Sequence, residues 1–206
     1  QNWSTAFPAE FRKRRGYDLT RYLPAMCGIP VGDGDVSERF LLDVRSTIAE
    51  MIRDNFYKPV YALAKASGVT VGGETHCPVL MADDMLQHSE VDIPTGEFWP
   101  EVETNWKACD IADATSAAQV YDKPVVMTES FTGGAWSAHP GTLKALGDHI
   151  YAQGVNRFML HVWQQQYDER LPGPPGAGTA MNRHNTWWEP GQAWRDYLRR
   201  CQLLLQ

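Results

Sequence analysis

Apolar and polar positions along this chain follow two alternating rhythms. In "SERFLLDVRSTIAEMIRDNFYKPVYALAKASG", residues 37–68, Phe40, Leu41, Val44, Ile48, Met51, Ile52 and Phe56 recur at helical spacing. Ser37 reads as its N-cap and Gly68 as its stop, and Pro59 is expected to kink the helix or to start a new one. A short β-branched run, "VTVGGETH", follows and reaches Glu74. The rhythm then repeats. "EVDIPTGEFW" reads as a strand ending at Glu97, and "NWKACDIADATSAAQVY" as a helix. "KPVVMTESF" is a strand ending at Glu129, and "GTLKALGDHIYAQG" a helix closed by Gly154. "NRFMLHVW" is a strand ending near His161. The last helix is "GQAWRDYLRRCQLLLQ", with Ala193, Trp194, Tyr197, Leu198 and Cys201 along one face.

Strands that alternate with helices predict βαβ units and a parallel sheet, an α/β fold. Glu97 and Glu129 are 32 residues apart, and so are Glu129 and His161. The letters themselves do not repeat, so this is no solenoid. Each strand ends on an ionisable residue, and the C-terminal strand ends are where chemistry sits in α/β barrels and where doubly wound sheets hold ligands. Four strands are legible, whereas a complete barrel has eight in about 250 residues. The expectation is either a small open sheet or the later half of a (β/α)8 barrel. A start at "QNWSTAFPAEF", with no initiator Met and no leader-like pattern, favours the second.

Composition narrows the function classes. The chain has 206 residues with a formal charge of -6, which disfavours general nucleic-acid binding. No run of 18 apolar residues is present, so no membrane-spanning helix is expected. Cys27, Cys77, Cys109 and Cys201 form no C-x-x-C pair, which argues against a zinc site and leaves free thiols and disulfides both open. The start of the chain carries no localisation signal; a secreted or periplasmic setting is the expectation for the longer polypeptide.

The carboxylates are the candidate chemistry. A buried strand ending on Glu129 exposes a group that is costly to dehydrate unless it is paired or protonated. Glu74, Glu97 and Glu129 would converge at one barrel mouth. Opposed carboxyl groups suit glycoside hydrolysis, and grouped acidic oxygens suit Ca²⁺. Capping a strand or pairing with an arginine is the structural alternative for each. His76 follows Glu74 by two residues, and His161 sits beside a tryptophan; either could hydrogen-bond within the core or meet a substrate. The long Gly/Pro-rich stretch "LPGPPGAGTAMNRHNTWWEPGQAW" has too little periodicity for an element. Its Arg183, Asn185, Trp187 and Trp188 combine hydrogen-bond donors with flat apolar faces, which is how a sugar ring is held. At least one of the two tryptophans is expected to anchor the loop to the core instead.

"DIPTGEFW", "KPVVMTESFT", "HPGTLKALGDHIYAQGVNRFMLH" and "NRHNTWWEPGQAWRDYLRRCQLLLQ" together resemble the catalytic domain of glycoside hydrolase family 106, the α-L-rhamnosidases. The resemblance runs nearly end to end. It implies a (β/α)8 barrel and inverting, calcium-dependent removal of terminal L-rhamnose from plant-type glycans. It implies that Glu129 is one of two catalytic glutamates, the general base, and that Glu97 is a calcium or substrate ligand. Glu74, His76, His161, Arg183, Asn185, Trp187 and Trp188 are the expected substrate-binding residues. The family's other catalytic glutamate lies in a D-S-W-E stretch preceding the segment that matches "QNW". The chain by itself is therefore expected to lack the proton donor and to be inactive. Another barrel glycosidase, or a carbohydrate-binding remnant without turnover, are the competing readings.

Overall fold

The computed structural model describes residues 3–75, 83–100, 108–134, 136–163, 181–182 and 185–206. The chain opens with helix α1 (Phe7–Arg15), a 3₁₀ segment (Thr20–Cys27) and the long α2 (Gly34–Ile52). A π-turn (Arg53–Tyr57) joins α2 to α3 (Lys58–Ala66). Then come β1 (Gly72–Glu74), α4 (Asp84–His88), β2 (Ile93–Phe98), α5 (Ala108–Val120), β3 (Met127–Ser130), α6 (Pro140–Ala152), β4 (Arg157–Leu160) and α7 (Gln192–Leu205). The four strands form one sheet in the order β1-β2-β3-β4, every pair parallel. This is the α/β alternation expected from the sequence.

The N-terminal block is helical and has its own core. Phe7 and Phe11 on α1, Leu19, and Phe40, Val44 and Ile48 on α2 pack together. Phe11 meets Tyr17 edge-on at 5.0 Å and Phe40 at 5.9 Å. Basic residues Arg12 to Arg15 crowd the last turn of α1, where they complement the helix dipole, and Gly16 ends the helix at φ 83°. Arg14 then reaches α2 and the π-turn, with Nη1 3.2 Å from Glu50 and 3.0 Å from Asp54. Arg15 Nη2 holds the other Glu50 oxygen at 2.7 Å.

Two local details depart from the sequence reading, whereas Pro59 starts a new helix as expected, in the first turn of α3. The N-cap of α2 is Asp33, whose carboxylate accepts from the Val36 N–H at 2.8 Å. Ser37 is instead a buried tie, its hydroxyl accepting from Val31 N–H and donating to the Asp33 carbonyl. At Pro59 the chain avoids a break by widening the preceding turn, so that Lys58 N–H bonds Arg53 C=O five residues back. On α7, Trp194 and Leu198 are buried but Ala193 faces solvent.

The second core lies between the sheet and helices α5, α6 and α7. Phe98, Ile111, Phe131, Leu143, Ile150, Trp194 and Leu198 form it. Phe131 is fully buried, with its ring 4.8 Å from Phe98 and 5.7 Å from Trp194. Truncating such a side chain to Ala removes about 3–5 kcal/mol. Strand alternation then decides what faces the other way. Gly96 and Phe98 turn toward the helices. A Cβ on Gly96 would stand 2.6 Å from the Asp110 carbonyl, so α5 packs against β2 where only glycine fits. Thr95 and Glu97 on β2, and Met127 and Glu129 on β3, therefore share the opposite face. Cys27, Cys109 and Cys201 are free thiols; Cys77 lies outside the described residues. Among the described residues no helix is long and apolar enough to cross a membrane.

Candidate active site and metal centre

The parallel register sets Glu97 directly beside Glu129, and Glu74 beside Thr95. Neighbouring strands are about 4.8 Å apart, so backbone pairing alone brings these carboxylates to one sheet edge. Two groupings result, one around Glu97 and one around Glu129.

In the first grouping, one carboxylate oxygen each from Glu74, Glu97 and Asp110 lies within 4.8 Å of the others. Glu97 and Asp110 are buried, at 6% and 0% exposure. Asp110 sits in the first turn of α5, where the helix dipole favours a negative charge. The Trp99 indole N–H donates to Glu97 Oε1. Two ligands on opposite sides of one Ca²⁺, each at about 2.4 Å, stand about 4.8 Å apart. The three-carboxylate span fits a single calcium ion, and the ion's charge would offset the repulsion among them.

Further acidic groups stand behind this cluster. Burial, and then the neighbouring Asp113 carboxyl, push Asp84 up to about 6, while a hydrogen bond from Thr75 works the other way. The Thr75 hydroxyl also lies 3.1 Å from His88 Nε2. His88 is fully buried, and burial with the nearby Lys123 lowers it to about 4, so it is neutral near pH 7. The Tyr57 hydroxyl donates to the Glu74 carbonyl at 2.8 Å and ties the π-turn to the end of β1.

In the second grouping, Glu129 keeps its side chain 22% exposed. Its Oε1 accepts from the Thr132 hydroxyl at 2.7 Å and stands 3.7 Å from His161 Nε2. The backbone of His161 is fixed by its N–H to the Ser130 carbonyl at 2.9 Å.

The tryptophan loop divides its tasks. Trp187 is the anchor, with its indole N–H donating to the Ala138 carbonyl at 2.7 Å and its ring edge-on to Trp194 at 5.9 Å. Trp188 is half-buried, with the Arg195 guanidinium 4.4 Å over one side and Trp163 5.5 Å away. Trp163 remains 51% exposed. Asn185 is buried; its Oδ1 accepts from Trp187 N–H at 3.4 Å, and its Nδ2 has no hydrogen-bond partner among the described residues. His76 and Arg183 lie outside the described residues.

Asp110, Thr132 and Trp99 escaped the sequence reading. Asp110 lies inside a helix and looks like an ordinary polar position. Its signal is a carboxylate in the first turn of the helix that follows a Glu-ended strand.

Comparison with known proteins gives the family and the fold. The model describing the α-L-rhamnosidases of glycoside hydrolase family 106 matches residues 1–206. The chain belongs to that family. It is 36% identical over 208 residues to a protein of Formosa agariphila (strain DSM 15362 / KCTC 12365 / LMG 23005 / KMM 3901 / M-2Alg 35-1) named "Putative beta-glucuronidase", covering all of this chain and 18% of that protein. It superimposes on the rhamnosidase structure from Novosphingobium sp. PP1Y with a TM-score of 0.78 and 32% identity, over 99% of this chain and 20% of that one. The chain thus spans about a fifth of the length of either relative.

Proposed function

We propose that this chain is the later half of a (β/α)8 catalytic domain whose complete enzyme removes terminal α-L-rhamnosyl residues with inversion. The observation that carries this is Glu129: it ends a buried parallel strand, keeps partial exposure, and has one oxygen held by Thr132 beside His161. An inverting enzyme needs its two carboxyl groups about 6.5–9.5 Å apart, with a water between the base and the sugar. A strand end locked on both sides by register holds such a position. Glu129 takes a proton from the water, whose oxygen bonds to the anomeric carbon. The glycosidic oxygen leaves and is protonated by an acid outside this chain.

Glu74, Glu97 and Asp110 would hold calcium, which supplies positive charge for sugar hydroxyl oxygens. Trp188 and the exposed Trp163 offer apolar faces for a deoxy sugar. A second reading, a β-glucuronide as substrate, rests on the name of the Formosa relative.

The test uses the full-length protein with aryl α-L-rhamnoside and aryl β-D-glucuronide, and NMR of the first-formed anomer. Turnover of the rhamnoside with inversion is expected. Glu129→Gln should lower kcat by at least about 10²-fold, the scale of losing one general base. An activated leaving group should not rescue it. Turnover of the glucuronide alone would replace the substrate, and rescue would make Glu129 the acid.

A further inference from the structure

Glu129 has two carboxylate oxygens, and its neighbours treat them unequally. The Thr132 hydroxyl donates to Oε1 at 2.7 Å, and His161 Nε2 faces that same oxygen at 3.7 Å. Among the described residues no contact falls on Oε2. The last torsion of a glutamate is broad and roughly two-fold, so an unheld carboxylate would present either oxygen at a range of angles.

Thr132 is itself held by its backbone and by the turn before it. Its backbone N–H donates to the Phe98 carbonyl at 3.2 Å, stitching it to the end of β2. It is buried, at 8% exposure. Between Glu129 and Thr132 the chain makes a left-handed turn, with Phe131 at φ 65°, and Gly133 just beyond is left-handed too, at φ 73°. A bulky residue rarely adopts that conformation, and the fully buried Phe131 ring, packed against Phe98, Phe158 and Trp194, holds it there. The turn is what brings the hydroxyl back onto the carboxylate three residues earlier.

We propose that Thr132 is a positioning residue that occupies Oε1 of Glu129 and thereby presents Oε2 as the proton acceptor for the attacking water. This rests on the reading of Glu129 as the general base. In this role Thr132 acts through Glu129 and not on water or sugar. It acts by fixing the plane of the carboxylate, so that the water O–H bond breaks toward Oε2 while its oxygen lone pair meets the anomeric carbon.

The experiment compares Thr132→Val, Thr132→Ser and Glu129→Gln in the full-length protein, each with a thermal melt to establish folding. Thr132→Val keeps the shape and deletes the donor. Its kcat should fall about 10-fold or more with KM within about 2-fold, because small misplacements of a reacting group are expensive in rate. Thr132→Ser keeps the donor and should restore most of kcat. Should the Val variant fail to fold, Thr132→Ala takes its place. Wild-type kcat in a folded donor-less variant overturns the proposal. So does a Ser variant as impaired as Val, which would make Thr132 a packing residue, or a loss confined to KM. An inactive Glu129→Gln beside a normal Thr132→Val removes the positioning role and keeps the base. A fully active Glu129→Gln removes both.

Discussion

Two groups of carboxylates in this chain have opposite surroundings. Glu50 and Asp54, where α2 meets the π-turn, face the guanidiniums of Arg14 and Arg15. Burial opposes ionisation of Glu50, but the hydrogen bonds and charges of Arg15 and Arg14 outweigh it and hold the group below its ordinary value. Asp54 is held low by Arg53 first and Arg14 next. Across the molecule, Glu74, Glu97 and Asp110 converge on one another, and Asp84 behind them is pushed up by burial and Asp113. The first group is architecture: its charges are answered by cations from α1 and by Arg53. The second gathers carboxylates from β1, β2 and α5 at the strand ends, within reach of one shared ion. Sequence marks Glu74 and Glu97 by their strand ends, whereas Asp110, Glu50 and Asp54 look like ordinary acidic residues on helical stretches.

The contrast can be broken from either side. The largest expected effect is on metal response. Asp110→Asn removes one of the charged ligands proposed for calcium, and ligand charge count sets calcium affinity, so half-activation should need about 10-fold or more calcium. Titrating chelated full-length protein with Ca²⁺ checks this; an unchanged midpoint would take Asp110 out of the site. On the architectural side, Arg14→Met leaves Glu50 and Asp54 short of a partner and should lower stability by about 1–3 kcal/mol, without altering the calcium midpoint. Denaturant melts alongside that same titration measure both. Gly96→Ala tests the link between fold and site with no change of charge. Its Cβ meets the Asp110 carbonyl, so α5 must shift, and a loss of about 1–3 kcal/mol with weaker calcium response is expected.

The smallest effect concerns pH, and the two groups move oppositely. Carboxylates held low, like Glu50 and Asp54, add stability that is present above their unfolded values and is lost as pH falls through the folded ones. Asp84, raised to about 6, keeps its proton in the folded chain where the unfolded chain has released it. Stability on its account declines as pH rises from about 4 through about 6. Asp84→Asn should flatten that decline in chelator, read as Tm at pH 4.5 and 7 against the parent. An identical pH slope in the variant would show that Asp84 does not titrate in this range.

How much of this could be read beforehand depends on how local each signal is. Glu97 and Glu129 were legible because an apolar strand that stops on a carboxylate is a local pattern. Their side-by-side register followed from the α/β alternation. The proposals of a (β/α)8 barrel and of calcium rest on the family resemblance, since four strands fit an open sheet as well. Helix α1 was missed because "FPAEFRKRR" has only Phe7 and Phe11 on its buried face, four positions apart amid basic residues. Asp33 was passed over for Ser37 because both are good caps, and only tertiary contact with Val31 decides between them. Thr132 could not be found by period at all, since its place depends on a left-handed turn at Phe131, a residue type that gives no hint of one.

The π-turn at Arg53–Tyr57 imposes a constraint of length rather than of letters. Asn55 and Phe56 within it are exposed, so their identities are open to drift. The number of residues is not, because each one rotates everything beyond it by about 100° about the helix axis. Deleting one would close the wide turn onto the Pro59 ring and swing the Tyr57 hydroxyl away from the Glu74 carbonyl it holds at 2.8 Å. It would also carry Lys65 off Asp92, which it meets at 2.8 Å and which in turn accepts from the Val71 N–H at the entrance to β1. A segment that looks free to vary on the surface thus keeps time for the strand end behind it, and gaps there should be rarer than substitutions.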